Sequence, residues 1–447
     1  MTYQLAIIGG GPAGYTAAEK AAKSGLSVVL FERNALGGVC LNEGCIPTKT
    51  LLYSAKLYDH FKIADKYGLT CGSYGVDYPK VIARKNKIIR KLNAGIRARL
   101  SAHDVTVVAA DAWVERYASN SILIKAGDLY YEAEKLLLAT GSEISIPSIA
   151  GLNGVDFWTS TEALNAKEIP EDLIIVGGGV IGMEFACLFN SLGTRVTVVE
   201  MLPEILGGTD REIAALFREE CNKKGIRFYL SAQIKEVKPG ELFIVQAEEE
   251  VVLTYSRLLV ATGRRPILKV SSELPYGMDG KRLKVNQFMQ TTLPNVYACG
   301  DITGISMLAH TAEREAAVAV NHILGKPDEM HYNAIPGVVY TSPEVASVGY
   351  SEEQLVSHQI AYTVRKIPMS YAGRFVVENE GFTGLCKILI GENKTILGVH
   401  ILGSPASEFI VAAGMAIERE LTAEEWEKTV FPHPTVSEIL KETLTIG

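Results

Sequence analysis

The sequence lacks the features that would place it in a membrane, on a nucleic acid or in the secretory pathway. No apolar run approaches the roughly 18 residues that a membrane-spanning helix needs. Positive charge is not in excess: the sequence has 44 Lys and Arg and 51 Asp and Glu, which gives a net charge of −7. This balance argues against nucleic acid as a partner. No secretory signal precedes the first predicted strand, so we expect a cytoplasmic protein without a membrane partner.

Cysteine is scarce, and only Cys40 and Cys45 lie close together. The remaining cysteines are isolated along the chain, at positions 71, 187, 221, 299 and 386. Spacing alone leaves three interpretations open: two core cysteines, half of a zinc site, or a redox pair. Zinc sites usually show C-x2-C spacing and a second pair, which this sequence does not have, so we expect no metal. In a cytoplasmic protein a persistent disulfide is usually catalytic.

The residues after Cys45 read as a helix, with Pro47 suited to its first turn. Cys45 should therefore lie at or just before a helix N-terminus. The unpaired N–H groups and the helix dipole there favour a thiolate over a thiol. A lowered thiol pKa would make a small disulfide ring redox-active rather than structural.

The N-terminal residues carry a dinucleotide-binding pattern. An apolar strand over residues 5–8 leads into a G-x-G-x-x-G turn at Gly9, Gly11 and Gly14, then a helix, then a second strand that ends at Glu32. The three glycines allow the tight turn, the approach of backbone to a pyrophosphate, and helix-on-strand packing. The pyrophosphate would lie at the helix N-terminus, and Glu32 would accept a hydrogen bond from a ribose hydroxyl.

The same unit recurs at Gly177, Gly179 and Gly182, with Glu200 at the end of its second strand. In both units the acid follows the first glycine by 23 positions. Glu200 favours NAD over NADP, because a carboxylate binds a free 2′-OH and repels a 2′-phosphate. Residues 201–204 contain no Arg or Lys that could bind that phosphate.

A second repeat supports two nucleotide-binding domains. An apolar strand ends in A-T-G both at Gly141 and at Gly263. A further apolar strand ends at Gly300-Asp301, where an acid can hold a ribityl or ribose hydroxyl. If this later segment returns to the first site, the second domain is inserted in the first.

Residues 80–100 form a basic segment with apolar residues at near-helical spacing. Its charges are Arg84, Lys85, Lys87, Arg90, Lys91, Arg97 and Arg99. A long amphipathic helix with a solvated basic face is the simpler interpretation. The alternative is a landing surface for an acidic partner.

Near the C-terminus, His433 lies between two prolines and five positions before Glu438. The two side chains are a candidate acid–base pair, in a rigid loop that precedes the last helix. The His433–Pro434 bond can adopt the cis form.

Together these motifs resemble the flavin-dependent pyridine nucleotide–disulfide oxidoreductases, and within them the lipoamide-specific enzymes. The resemblance covers essentially the whole chain. It rests on Gly37-Gly38 with Cys40, Cys45, Pro47 and Lys49, on Cys299-Gly300-Asp301, on Met307-Leu308-Ala309-His310, on His433-Pro434-Thr435 with Glu438, and on Glu184.

The resemblance implies that electrons pass from dihydrolipoamide through a Cys40–Cys45 disulfide to FAD and then to NAD. Cys40 would exchange with the substrate and Cys45 would lie against the flavin. Lys49 would lie near the reactive flavin nitrogen, paired with Glu184.

In the family, the counterpart of His433 reaches the disulfide of the other subunit. His433 would therefore act as the base in a homodimer, and Glu438 would orient its imidazole. The partner would be a lipoylated carrier, either the acyltransferase of a 2-oxoacid dehydrogenase complex or the carrier of the glycine-cleavage system. The sequence leaves open which carrier is served.

The implied fold class is α/β, with two Rossmann-like domains, the second inserted in the first, and a C-terminal α+β dimerisation domain. We expect an FAD-binding domain over 1–147, an NAD-binding domain over 148–265, a return to the FAD domain over 266–333, and an interface domain over 334–447. The implied FAD-binding residues are Gly9, Gly11, Gly14, Glu32, Lys49, Gly141, Asp301 and Ala309. Those implied for NAD are Gly177, Gly179, Gly182, Glu200 and Gly263.

Three alternatives compete with this interpretation. Another disulfide reductase of the family, for glutathione or a metal ion, would need different substrate contacts and usually an NADP site. A flavin NADH oxidase would lack the Cys40/Cys45 and His433/Glu438 pairs. A scaffold role on an acyltransferase core would retain binding without activity.

Overall fold

The structure, a computed structural model, describes residues 2–119, 121–271, 274–381 and 383–446. Its first strands are β1 Thr2–Ile8, β2 Val28–Phe31, β3 Thr106–Val108, β4 Ala112–Ala118, β5 Ser121–Ala126, β6 Leu129–Leu138, β7 Ser142–Ile144, β8 Asp172–Val176, β9 Arg195–Val199, β10 Arg227–Tyr229, β11 Gln233–Lys238 and β12 Glu241–Gln246. The later strands are β13 Glu249–Thr254, β14 Arg257–Val260, β15 Arg264–Pro266, β16 Met278–Asp279, β17 Arg282–Leu283, β18 Val296–Ala298, β19 Gly337–Val339, β20 Val345–Gly349, β21 Tyr362–Pro368, β22 Leu385–Gly391 and β23 Ile396–Leu402.

The α-helices differ widely in length. They are α1 Pro12–Lys23, α2 Gly38–Glu43, α3 Cys45–Lys62, α4 Tyr78–Ser101, α5 Ser160–Leu164, α6 Val180–Ser191, α7 Arg211–Lys223, α8 Ala309–Ile323, α9 Glu352–Ser357, α10 Gly373–Glu378, α11 Ala406–Glu418, α12 Ala423–Glu427 and α13 Glu438–Ile446. Within the part of the chain that the structure describes, no helix combines the length and the apolar character that crossing a bilayer requires.

One compact unit comprises the chain up to Thr48, Ile82–Ser145 and Arg264–His331. Its main sheet has the order β3-β2-β1-β6-β5-β4, with β18 also paired to β6. Strands β2, β1, β6 and β18 run parallel. The run 5–8 of β1 is fully buried, as expected for a central parallel strand covered on both faces. Helices α1 and α8 pack against each other in this unit.

A short antiparallel ribbon marks where the chain leaves this unit and where it returns. Strand β7 pairs with β15, so that Ile144 lies opposite Arg264 and Ser142 opposite Pro266. Between these strands the chain forms a second Rossmann-like sheet in the other unit. This confirms the prediction that one nucleotide-binding domain is inserted in the other, while the four domain boundaries given above stay predictions.

The other unit comprises Lys49–Val81, Ile146–Gly263 and the chain from Tyr332. It contains a parallel sheet of order β10-β9-β8-β14 and the antiparallel sheet β11-β12-β13. Its C-terminal sheet, β19-β20-β23-β22-β21, is antiparallel and packs against α11 and α13. These are the predicted second Rossmann-like domain and C-terminal α+β domain.

A buried lysine ties α7 to the C-terminal sheet. Lys387 on β22 is 1% exposed, and its Nζ lies 2.9 Å from Asp210 and 3.1 Å from Glu212. Glu352 is its third carboxylate partner. Burial disfavours the ammonium, but the carboxylates outweigh burial and raise the pKa of Lys387. Asp210 also caps α7 by accepting from the Ile213 N–H.

His400 lies close to this cluster, on β23. It is buried, and its Nε2 donates to the carbonyl of Tyr350 at 2.8 Å. Its Nδ1 has no hydrogen-bond partner among the described residues. Burial lowers the pKa of His400, against the opposing effect of the Asp210 carboxylate.

The basic segment forms the long helix α4, as predicted, but one of its charges is not solvated. Ile96 and Leu100 are buried on the side of α4 that faces the core. Lys85 lies on that side too and is only 2% exposed, and burial lowers its pKa. The prediction of a solvated basic face is therefore wrong for Lys85, because its position in the helical repeat falls among the apolar residues.

Candidate active site

The two cysteines lie on consecutive helices. Cys40 is in the short helix α2, and α3 begins at Cys45, with only Gly44 between the helices. The two Sγ atoms are 2.6 Å apart, so the pair is placed for disulfide chemistry. The predicted position of Cys45 at a helix N-terminus is confirmed. The short helix around Cys40 was not predicted.

Side-chain amides hold α2 in place. Asn42 donates to the carbonyls of Leu36 and Gly38 at 3.0 and 2.8 Å, and Asn93 of α4 donates to the Leu36 carbonyl at 2.7 Å. A Cβ on Gly38 would lie 2.7 Å from Cα of Gly11, so only glycine allows this approach. The disulfide helix therefore packs directly against the first glycine-rich turn.

The glycines of that turn are required by close backbone contacts. A Cβ on Gly9, whose φ is +108°, would lie 2.1 Å from the Ala139 carbonyl oxygen. A Cβ on Gly14 would lie 1.8 Å from the carbonyl oxygen of Gly9. Gly11 is the N-cap of α1, so the N–H groups of the first helical turn face the glycine-rich loop. The turn therefore has the shape and the polarity that a pyrophosphate needs.

Glu32 follows β2, where the sequence predicts a ribose-binding acid. Its Oε2 accepts from the Gly10 N–H at 2.7 Å, and its Oε1 accepts from the Asn34 N–H at 2.7 Å. Each oxygen keeps a lone pair for a further donor. The backbone thus fixes the carboxylate beside the turn.

Asp301 belongs to a polar network in the same unit. Ser142 Oγ donates to Asp301 Oδ2 at 2.5 Å, and Arg264 donates to the Oγ and the carbonyl of Ser142 at 2.8 Å each. Burial lowers the pKa of Arg264, and the Asp301 carboxylate opposes that shift. A Cβ on Gly300 would lie 3.4 Å from the Cβ of Ala13, which brings the Asp301 segment to the start of α1.

Sequence reasoning missed Ser142 and Arg264. A signal was available, since each residue directly follows one of the A-T-G repeats, after Gly141 and Gly263. Gly141 itself has a φ of +75°. Ala309, the last predicted FAD residue, is the first residue of α8.

The second glycine-rich turn repeats the geometry of the first. A Cβ on Gly177, whose φ is +105°, would lie 2.5 Å from the Ala261 carbonyl oxygen. A Cβ on Gly182 would lie 2.0 Å from the carbonyl oxygen of Gly177. At Gly179, the N-cap of α6, a Cβ would meet no atom of the described residues within 4 Å, which leaves room for a phosphate.

Glu200 is the counterpart of Glu32 and is only 8% exposed. Its Oε2 accepts from the Gly178 N–H at 2.6 Å, and its Oε1 accepts from the Leu202 N–H at 2.8 Å. Gly263, with a φ of +104°, lies three residues after β14, the strand that pairs with β8. The predicted NAD residues therefore gather at the carboxyl edge of one parallel sheet, as in nucleotide-binding α/β sheets.

Lys49 and Glu184 form an ion pair. The Lys49 Nζ lies 2.8 Å from both carboxylate oxygens of Glu184, which is nearly buried on α6. The Tyr340 N–H donates to the same carboxylate at 3.0 Å, and the Lys49 ammonium lies 4.7 Å from the centre of the Tyr340 ring. The pairing that the family resemblance implied is therefore present.

His433 and Glu438 form the second predicted pair. The distance from His433 Nδ1 to Glu438 Oε1 is 2.9 Å, and the Thr435 N–H donates to Glu438 Oε2 at 2.8 Å. The Thr435 N–H and the His433 imidazole lower the pKa of Glu438. The His433 side chain is 81% exposed, and the His433–Pro434 peptide is cis. Because Nδ1 is hydrogen-bonded to the Glu438 carboxylate, Nε2 is the ring nitrogen available for proton transfer.

Comparison with known proteins identifies this arrangement. Residues 3–316 match the pyridine nucleotide-disulphide oxidoreductase family. The chain belongs to the pyridine nucleotide-disulphide oxidoreductases. Residues 335–444 match the dimerisation domain of the same family, which supports a homodimer for this oxidoreductase. Its cofactors are FAD and NAD(H).

Relatives from distant organisms match this oxidoreductase over nearly its full length. A dihydrolipoyl dehydrogenase of Bacillus subtilis is 37% identical, covering 99% of this chain and 98% of its own. A mitochondrial dihydrolipoyl dehydrogenase of Arabidopsis thaliana is 36% identical, covering 98% of this chain and 89% of its own. Among solved structures, LpdA from Mycobacterium tuberculosis superposes with a TM-score of 0.88 at 26% identity, covering 99% of each chain.

A structure with another stated activity is also similar to this oxidoreductase. The Cu(II) complex of the HOCl-induced flavoprotein disulfide reductase RclA from Escherichia coli has a TM-score of 0.86 at 27% identity, covering 100% of this chain and 99% of its own. Fold likeness therefore does not decide the substrate.

Proposed function

We propose that the enzyme oxidises protein-bound dihydrolipoamide to lipoamide and reduces NAD+ to NADH through the Cys40–Cys45 disulfide. The single observation that carries this proposal is the 2.6 Å approach of the two Sγ atoms at the start of α3. The full-length relatives named dihydrolipoyl dehydrogenase support the substrate. The chemistry that FAD supplies when bound is two-electron transfer between the dithiol and NAD+.

The chain's own part is thiol–disulfide exchange. A thiolate of dihydrolipoamide attacks Cys40 Sγ, which breaks the Sγ–Sγ bond and releases Cys45 as a thiolate. The second substrate thiol then attacks the substrate sulfur of the mixed disulfide, which closes the lipoamide ring and releases Cys40. The substrate loses two electrons and two protons, and the disulfide gains the two electrons.

The N-terminus of α3 favours the thiolate form of Cys45 through its N–H groups and dipole. Both oxygens of Glu184 bind the Lys49 ammonium, which fixes the position of the side chain. We assign Lys49 to the FAD site, where it stabilises negative charge.

His433 is the proposed base. Glu438 holds Nδ1, so Nε2 accepts the proton of the substrate thiol, and the carboxylate stabilises the imidazolium that forms. In this proposal His433 of one subunit serves Cys40 of the other, so each active site needs the homodimer.

We assign the cofactor-binding residues to the two glycine-rich turns and to the residues near them. FAD would be held by Gly9, Gly11, Gly14, Glu32, Lys49, Gly141, Asp301 and Ala309, and NAD by Gly177, Gly179, Gly182, Glu200 and Gly263. We place the enzyme in the cytoplasm, with a lipoylated carrier of a 2-oxoacid dehydrogenase complex or of the glycine-cleavage system as its partner.

The test is a substrate comparison with the purified holoenzyme. Dihydrolipoamide oxidation is measured with NAD+ and with NADP+, and glutathione disulfide and Cu(II) reduction with NADH and NADPH. We expect the dihydrolipoamide/NAD+ reaction to exceed the others by at least about two orders of magnitude in kcat/KM. Faster turnover of glutathione disulfide or Cu(II) would overturn the proposal.

A further inference from the structure

One side of α4 is strongly basic. We call it the basic face and define it by Arg84, Lys87, Arg90, Lys91 and Arg97, all exposed. At 3.6 residues per turn these five side chains fall within about 140° of arc and span about 20 Å along the helix. The helix sequence contains no Asp or Glu.

This clustering opposes helix stability. Arg84 and Lys87, Lys87 and Arg90, and Lys87 and Lys91 are like charges three or four residues apart, which repel on a helix surface. The whole chain carries a net charge of −7, so the basic face stands out against an acidic background. A concentrated field of one sign raises the rate at which an oppositely charged protein associates.

The basic face is on the same helix that supports the disulfide. Asn93, on an adjoining side of α4, donates to the Leu36 carbonyl, which also accepts from Asn42. Asn42 lies two residues after Cys40 in α2. A protein that docks on the basic face therefore docks on the helix whose Asn93 helps to hold the Cys40 segment.

We propose that the basic face of α4 is the docking surface for an acidic surface of the lipoylated carrier protein. This inference rests on the proposed function, since it concerns how that substrate arrives. The carrier is the occupant that brings a reactive group to the disulfide, and its docking surface would be rich in Asp and Glu. The net charge of −7 argues against a nucleic acid on this face.

The test compares a carrier with the free substrate. The probe is a purified lipoylated carrier domain of negative net charge, reduced to its dihydrolipoyl form, and the reference is free dihydrolipoamide. The variant is Lys87→Glu/Lys91→Glu, and Lys87→Gln/Lys91→Gln is the milder version. A matched control, Lys167→Glu/Lys269→Glu, makes the same charge change at exposed lysines outside the basic face.

We expect kcat/KM for the carrier to fall about tenfold or more in the Glu variant and by less in the Gln variant. The kcat/KM for free dihydrolipoamide should stay within about twofold of the parent enzyme. Raising the salt concentration should slow the parent's reaction with the carrier and have little effect on that of the Glu variant, because salt screens charges beyond about 10 Å at 0.1 M.

Each other outcome overturns the docking proposal. An unchanged carrier reaction, an equal loss in the control variant, or binding of duplex DNA to the parent with no effect of the variants on the carrier would do so. An equal loss for free dihydrolipoamide would show that the lysines act on the site itself. No activity of the parent with free dihydrolipoamide would instead refute the proposed function.

Discussion

Two backbone hydrogen bonds fix the Glu200 carboxylate, which should make the enzyme reject NADP+. The Gly178 and Leu202 N–H groups bind the two carboxylate oxygens at 2.6 and 2.8 Å, and the side chain is nearly buried. The carboxylate cannot turn away from a 2′-phosphate without leaving the buried Gly178 N–H unsatisfied, at about 1–3 kcal/mol, and it would also lose its part-buried bond to the Leu202 N–H. At an effective dielectric constant of about 20, two unit charges about 6 Å apart repel by roughly 3 kcal/mol.

This repulsion corresponds to about two orders of magnitude in kcat/KM. The assay is steady-state oxidation of dihydrolipoamide with each nucleotide. Glu200→Gln should reduce the preference for NAD+ to about tenfold or less, because the charge is gone. It should also lower the free energy of unfolding by about 1–3 kcal/mol, since its amide nitrogen faces a backbone N–H that loses its acceptor.

Glu32→Gln is the matched control, because Glu32 has the same two backbone contacts in the first turn. It should weaken FAD retention, measured as released flavin fluorescence, and leave the ratio of the kcat/KM values for NAD+ and NADP+ unchanged. Comparable kcat/KM values of the parent enzyme for NAD+ and NADP+ would refute the reasoning about Glu200.

Further predictions concern the base His433, the Lys49–Glu184 ion pair and the buried His400. His433→Gln should lower dihydrolipoamide turnover roughly 10²–10⁴-fold, while FAD content stays the same. A mixed dimer of a Cys40→Ser chain and a His433→Gln chain has one site with both defects and one with neither, so it should regain about half of the parent activity. No regained activity would show that the base and the disulfide act within one chain. Glu184→Gln should lower turnover and reduce the free energy of unfolding in urea by about 1–2 kcal/mol, because Lys49 loses its paired charge but stays partly solvated; an unchanged urea midpoint would contradict this. Because burial lowers the pKa of His400, the unfolded chain takes up its proton first, so stability should fall as the pH drops below about 6.5 and level off once the folded pKa is passed. His400→Gln should remove that part of the pH dependence of the urea midpoint, and an unaltered slope would show that His400 does not cause it.

The nucleotide-binding turns could be predicted because they depend on local geometry. The glycine spacing and the acids at Glu32 and Glu200 follow from contacts within one strand–turn–helix–strand unit, and the structure places them accordingly. The position of Cys45 at a helix start could also be predicted, because it depends only on the residues that directly follow it. Lys49 and Glu184 are 135 residues apart, and only the family resemblance indicated that they pair.

Other features were not predicted, either because they depend on contacts between residues far apart in the sequence or because an available local pattern was not used. Lys387 lies in an apolar strand, and its partner Asp210 is 177 residues away, so the sequence suggested neither its burial nor its ion pairs. The basic neighbours of Lys85 predict a solvated side chain, whereas its place in the helical repeat, among apolar residues, decides its burial. Ser142 and Arg264 join Asp301 only after the chain has left the first unit and returned.

The ribbon of β7 and β15 has a consequence for engineering. Ile144 and Arg264 are direct neighbours across it, so the intervening residues form a cassette whose two ends meet. A two-residue hairpin turn of the Asn-Gly type is enough to join such neighbours. Residues 145–263 could therefore be exchanged for a module from another protein with adjacent termini without altering any strand pairing of the first sheet, provided that the module keeps Glu184 and Asp210 as partners of Lys49 and the buried Lys387. Nucleotide preference would then be grafted as one continuous piece of sequence, rather than rebuilt residue by residue.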